Sequence, residues 1–270
     1  MVRKVGNGGK NKINGTSSKD SLFGLGGNDT INGKAGNDVI DGGSGNDTIR
    51  GGDGKDKISG SSGKDLITGD AGNDIIDGGK GVDVIFGGAG NDTLTDTFQG
   101  IQLLDGGTGD DLIIMSGDVG VSTQTFSYLL GGTGNDRLFD GAGNSIMLGG
   151  ADNDVMSGGT GFDLMLGDAG FDNFVFSDGD GFQNFLRPGT FDDIIFDFQQ
   201  GIDVVTLTGV TIDFVADFTL TGDPFVNGGA ATAGARVVYN DGSGTAGTFF
   251  MMGYSEAQFA LTGGTDFSII

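Results

Sequence analysis

The chain has 270 residues, of which 58 are Gly and two are Pro, with no Cys and a formal net charge of −23. Glycine at that level, without the three-residue period or the proline of collagen, excludes a collagen helix and argues against an ordinary globular core; it points to many tight turns at regular intervals. The charge repels phosphate backbones and anionic lipid surfaces, so neither nucleic acid nor membrane insertion is expected, and no stretch approaches a transmembrane helix in length.

In chain order, Met1 to Ser18 carries positive charges but no apolar run, which does not read as a Sec-type signal peptide. From Gly6 to Thr95 the sequence divides without a gap into ten nonapeptides, among them GKAGNDVID, GGSGNDTIR and GDAGNDIID. The first place is Gly in all ten, and the fourth is Gly in nine, Ser18 being the exception. The sixth is Asp20, Asp29, Asp38, Asp47, Asp56, Asp65, Asp74, Asp83 or Asp92, with Asn11 opening the series, and the eighth is Ile or Leu throughout, from Ile13 to Leu94. The first six residues of each repeat, rich in Gly, Asn and Asp, are predicted to be turn. The last three, such as Val39-Ile40-Asp41, make a minimal strand with one inward apolar side chain. Two repeats then form one coil, and coils stack as parallel strands, right-handed by the general rule for such crossovers.

This pattern resembles the hemolysin-type calcium-binding repeat (repeats-in-toxin, RTX) family, with motif GGxGxDxUx. The resemblance implies an all-β, right-handed parallel β-roll, a β-solenoid, with Ca²⁺ as its cofactor. Stacking sets Asn11, Asp29, Asp47, Asp65 and Asp83 along one edge and Asp20, Asp38, Asp56, Asp74 and Asp92 along the other. Carboxylates of neighbouring turns, with backbone carbonyls, would form oxygen cages; four intervals per edge give up to eight sites in this block. Turn capping alone is an insufficient role. Carboxylates one strand spacing apart, ~4.8 Å, repel by roughly 0.9 kcal/mol per pair even in water. Consistent with cages, the acids comprise 36 Asp against the single Glu256, and the absence of disulfides calls for another staple. Lys55 and Lys57 read as partial neutralisation of neighbouring aspartates.

Residues 96–130 hold one clear repeat, GGTGDDLII, with Asp111 in sixth place. Leu103-Leu104 and Leu129-Leu130 are expected in wider, metal-poor coils. From Gly131 to Val175 the frame returns for five repeats whose sixth residues are Asp136, Ser145, Asp154, Asp163 and Asp172. Asp136, Asp154 and Asp172 would frame two sites on one edge, whereas Ser145 facing Asp163 should be weak or empty. The inward residues Leu138, Met156, Met165 and Phe174 make this block more apolar inside.

After Phe176 the composition shifts to Phe, Val and Thr. FDDIIFDFQQGIDVVTLTG, Phe191 to Gly209, resembles the strand-turn-strand flank of exported repeats-in-toxin proteins, and the ending DFSII, Asp266 to Ile270, is similar to the tail of serralysin-like type I secretion substrates. The domains are therefore read as a calcium-binding β-roll (1–95), irregular solenoid coils (96–130), a second repeat block (131–175) and a C-terminal β cap with an export signal (176–270). With no histidine in the chain, HExxH zinc chemistry and a Ser-His-Asp triad are excluded, and DGDG at Asp178 to Gly181 lacks the closing Glu of an EF-hand. The expectation is a secreted, extracellular, monomeric calcium-binding protein without enzymatic activity, structural or surface-associated, with the type I secretion machinery as partner. The alternatives are a module that binds extracellular polysaccharide, ice or a cell surface, or a detached secretion module of a carbohydrate-active enzyme. Mixed seventh-place residues (Lys, Ser, Thr, Val, Leu and Ile) disfavour a repeating lattice-binding face.

Overall fold

A computed structural model describes residues 1–98, 100–116 and 126–177 and, beyond them, the backbone of six strands: Ile194–Ile195, Val204–Thr208, Thr211–Leu220, Thr232–Asn240, Ala246–Met252 and Phe267–Ile269. The described residues contain strands and turns and no helix. As far as Thr211–Leu220, consecutive strands fall alternately into two sheets. One begins Arg3–Val5, Ser21–Phe23, Val39–Ser44, Lys57–Gly63; the other begins Lys12–Asn14, Thr30–Ala35, Thr48–Asp53. Pairing within the repeats is parallel at a step of 18 residues, as in Ile40↔Ile58 and Ile31↔Ile49, so two repeats make one coil.

This register follows from one apolar residue per repeat. Each coil brings two eighth-place side chains inward, one from each sheet, and stacking buries them against the coils above and below. The column from Ile13 to Leu94 is buried throughout and continues through Leu104, Ile113, Leu129, Leu138, Met147, Met156, Met165 and Phe174.

The strands are longer than the three residues expected. Thr30–Ala35 and Thr48–Asp53 run through the first three places of the following repeat, with Lys34↔Gly52 and Ala35↔Asp53 still in register. The reason lies in second place, where the backbone is left-handed: φ is 99° at Gly43 and 112° at Gly52, but also 82° at Lys34 and 78° at Leu25. That conformation swings the chain round the corner while the parallel ladder continues, which leaves only places four to six as turn.

The coils stack without a break across the composition boundaries near 95 and 130. The step lengthens to 19 at Ile85↔Leu104 and to 25 at Leu104↔Leu129 and Ile113↔Leu138, then returns to 18 at Leu129↔Met147. A bulge opposite Thr95 to Thr97 first shortens the step to 17, at Thr97↔Lys80 and Phe98↔Gly81. Further on, Asn173–Ser177 pairs with Val204–Thr208, which pairs with Phe267–Ile269, again in parallel. Thr211–Leu220, Thr232–Asn240 and Ala246–Met252 form an antiparallel meander on the other sheet. Of the expected export flank, only 194–195 and 204–208 are described; Asp178 to Gly181, Asp266 and Ile270 lie outside the described residues.

Candidate metal centre

Where the sixth place is Asp, the turn is built around its carboxylate. A Cβ on Gly51, first in its repeat, would lie 2.5 Å from Asp56 Oδ2 and 2.8 Å from Gly69 O; one on Gly60 would lie 2.6 Å from Asp65 Oδ2 and 2.7 Å from Gly78 O. The first place is Gly because the carboxylate of the same repeat and a carbonyl of the next coil occupy the space a side chain would need.

The stacked carboxylates form two files. Asp38 N–H donates to Asp56 Oδ1 at 2.7 Å, Asp56 N–H to Asp74 Oδ1 at 2.8 Å and Asp74 N–H to Asp92 Oδ1 at 2.7 Å. The same bond links Asp20 to Asp38 and then carries the file through Asp111, Asp136, Asp154 and Asp172. This first file is continuous, so the coils of 96–130 keep an acidic place on one edge, where the sequence suggested metal-poor coils. The second file runs Asn11, Asp29, Asp47, Asp65, Asp83. There it changes character: Asp83 N–H donates to Gln102 Oε1, Gln102 N–H to Ser127 Oγ, and Ser145 N–H to Asp163 Oδ1.

All fourteen sequence-predicted aspartates therefore lie on the two files, and each is buried. Capping, set against metal binding above, engages only one of the two carboxylate oxygens. Oδ1 accepts the amide of the preceding coil. Oδ2 is buried without a hydrogen-bond partner at Asp29, Asp38, Asp47, Asp56, Asp65, Asp74, Asp83, Asp92, Asp111, Asp136 and Asp154. Asp20, in the first full coil, differs: its Oδ2 accepts from the Thr16 amide at 2.6 Å and hydroxyl at 2.8 Å.

A buried carboxylate oxygen beside a carbonyl oxygen, with no donor, is costly unless a proton or a cation joins them. The electrostatics agree. Desolvation, reinforced by the neighbouring carboxylates, pushes Asp56 and Asp111 up to about 6 and Asp65, Asp92, Asp136 and Asp154 up to about 7. Among the described residues the ion pair is Arg50–Asp70, on the outer face; Lys55 and Lys57 pair with no file aspartate. Among the described residues no three carboxylates converge on one point. A cage here would draw on carboxylates of successive turns plus backbone carbonyls, the all-oxygen donor set that suits Ca²⁺ and gives no handle for softer metals.

Sequence reading missed a third ladder, in fifth place. Asn28 Oδ1 accepts the Asn46 amide at 3.0 Å, Asn37 Oδ1 that of Lys55 at 3.1 Å, and Asn153 Oδ1 that of Phe171 at 2.9 Å. The frequency of Asn immediately before the file Asp was its signal.

Four stretches, residues 5–40, 33–67, 59–94 and 130–165, match the family model of the RTX calcium-binding nonapeptide repeat. They cover the first regular block as far as residue 94 and the second as far as residue 165, and leave out residues 95–129. No curated protein matches the chain. The chain carries RTX repeats, and these repeats bind Ca²⁺.

Proposed function

We propose that this is a secreted, non-enzymatic calcium-binding protein that stays unfolded in the calcium-poor cytoplasm, leaves by type I export and becomes a roll outside the cell, where it serves a structural or surface-associated role. The observation that carries this reading is the row of eleven buried Oδ2 atoms without a partner. Bound calcium supplies positive charge and a demand for six to eight oxygens. The chain supplies the rest: Oδ1 clasps the preceding turn, first-place Gly leaves room for the carboxylate, and a carbonyl such as Gly69 O stands beside it.

Folding is tied to metal by the weakness of the interior. One coil of the first block buries two aliphatic side chains, worth about 3 to 6 kcal/mol, while ordering its residues costs at least ~1 kcal/mol for each of them. Neutralising the files is what changes the sign. The absence of histidine and the commitment of the buried aspartates to turns support a non-enzymatic role.

The test is far-UV circular dichroism of the full chain in chelator, then in millimolar Ca²⁺ or Mg²⁺. A β spectrum should appear with Ca²⁺ and not with Mg²⁺, which demands a tighter octahedron and releases its waters reluctantly. Persistence of the spectrum in chelator, or equal recovery with Mg²⁺, overturns the reading. Export is tested by deleting Asp266 to Ile270, which should abolish release into the medium of the native host.

A further inference from the structure

The first and sixth places of a turn address the same volume. A Cβ on the first-place glycine would touch the sixth-place carboxylate at Gly51 and Asp56, Gly60 and Asp65, and Gly131 and Asp136, at 2.5 to 2.6 Å. On the second file the sixth-place Asp is lost three times in succession, at Gln102, Ser127 and Ser145, and each time the first-place Gly is lost too. The residues in first place are Asp96, Met115 and Asp140, stacked in register as Asp96↔Met115 and Met115↔Asp140. Met115 is a buried apolar plug. The other two replacements are acids, so in those turns the carboxylate has changed place within the repeat.

Both transposed acids are deeply buried, Asp96 at 2% and Asp140 at 4% exposure. Asp96 Oδ2 has no hydrogen-bond partner, and at Asp140 neither oxygen has one. The Gly141 and Ala142 amides and the Ser145 hydroxyl face Asp140, but none completes a hydrogen bond; Ser145 Oγ donates instead to Asp163 Oδ1 at 2.6 Å. No Lys or Arg among the described residues pairs with either acid. Asp83, Asp77 and Asp65 are the charged groups around Asp96, all of like sign. Desolvation pushes Asp140 up to about 7 and Asp96 up to about 8.

We propose that Asp140 and Asp96 are cation ligands, carboxylates moved from sixth to first place of their turns, which continue the second file of Ca²⁺ sites where its sixth place is Ser145 or Gln102. The interval between Ser145 and Asp163, expected from the sequence to be weak or empty, is thereby supplied with a second carboxylate. This rests on the proposed calcium role of the files. The rival is a buried acid held neutral by its surroundings.

The experiment is equilibrium dialysis of the full chain against CaCl₂, counting bound calcium by atomic absorption, with circular dichroism as the check on folding. Asp140→Asn keeps the shape and removes the charge, and Asp152→Asn changes the charge equally at an exposed acid. Asp140→Asn should lose one ion and Asp152→Asn none. The double variant Asp140→Gly with Ser145→Asp restores the regular turn and should recover the wild-type count, which keeps the test decisive if Asp140→Asn fails to fold. A folded Asp140→Asn with the full count, or a double variant still one ion short, overturns the inference. Wild type that binds no calcium refutes the broader reading instead.

Discussion

Replacing Asp56 by Asn separates the two tasks of a file carboxylate. The amide oxygen can still accept the Asp38 N–H, as Oδ1 does at 2.7 Å, and the new NH₂ puts an uncharged donor where Oδ2 has no partner. The variant therefore removes without metal the buried charge that the wild type leaves uncompensated. Burial raises Asp56 from 3.8 to about 6, roughly two pH units, or ~3 kcal/mol against the ionised metal-free roll at pH 8 if taken in full. The file runs along the edge of the roll, where solvent screens it, so about half of that, ~1–2 kcal/mol, is the expected gain in metal-free stability. Calcium binding should move the other way, because Asp56 stands between Asp38 and Asp74 and serves the gap on either side: one or two ions are lost. The assay is calorimetric titration with CaCl₂, together with urea unfolding in chelator, for Asp56→Asn and for Asp53→Asn, an exposed acid in the same repeat. Equal calcium loss in the two variants, or a metal-free Asp56→Asn no more structured than wild type, would refute the assignment.

Acidity should substitute in part for metal. Asp65, Asp92, Asp136 and Asp154, raised to about 7, and Asp56 and Asp111, raised to about 6, bind protons more tightly in the roll than in the unfolded chain. The metal-free roll is thus favoured near pH 4 and loses that advantage as pH rises through 6 and 7; circular dichroism of metal-free protein should show more β structure at pH 5 than at pH 8, and calcium affinity should fall on acidification through the same window. Gly51→Ala pushes a methyl onto Asp56 Oδ2, Gly69 O and Ile58 Cδ1, 2.5, 2.8 and 3.1 Å away, and should cost about 1–3 kcal/mol; Gly8→Ala, with nothing within 4 Å, should be neutral, both read from calcium-dependent thermal melts. Ile67→Ala, at a fully buried core position, should cost about 2–5 kcal/mol in the calcium-loaded protein by the same measurement.

The architecture of the regular blocks was legible in the sequence because a solenoid coil contacts only its neighbours, so a nine-residue rule repeated along the chain is also the rule of its packing. Asp at place six and Ile or Leu at place eight were enough to determine the 18-residue step, the two files and the buried column. The tertiary structure decided what depends on contacts between coils. Strands run on through Lys34 and Gly52 because a left-handed residue can turn the corner without leaving the ladder, a property invisible in residues as unlike as Lys, Leu and Gly. Asp111 stays in file with Asp92 and Asp136 because the ladder holds Leu94↔Ile113 and Ile113↔Leu138 in register on either side of it, although the sequence frame breaks there. The meaning of Asp96 and Asp140 also came only from the fold. Read along the chain they occupy the wrong place in the repeat, but first and sixth residues meet in space across the turn, so the same volume receives a carboxylate from either side.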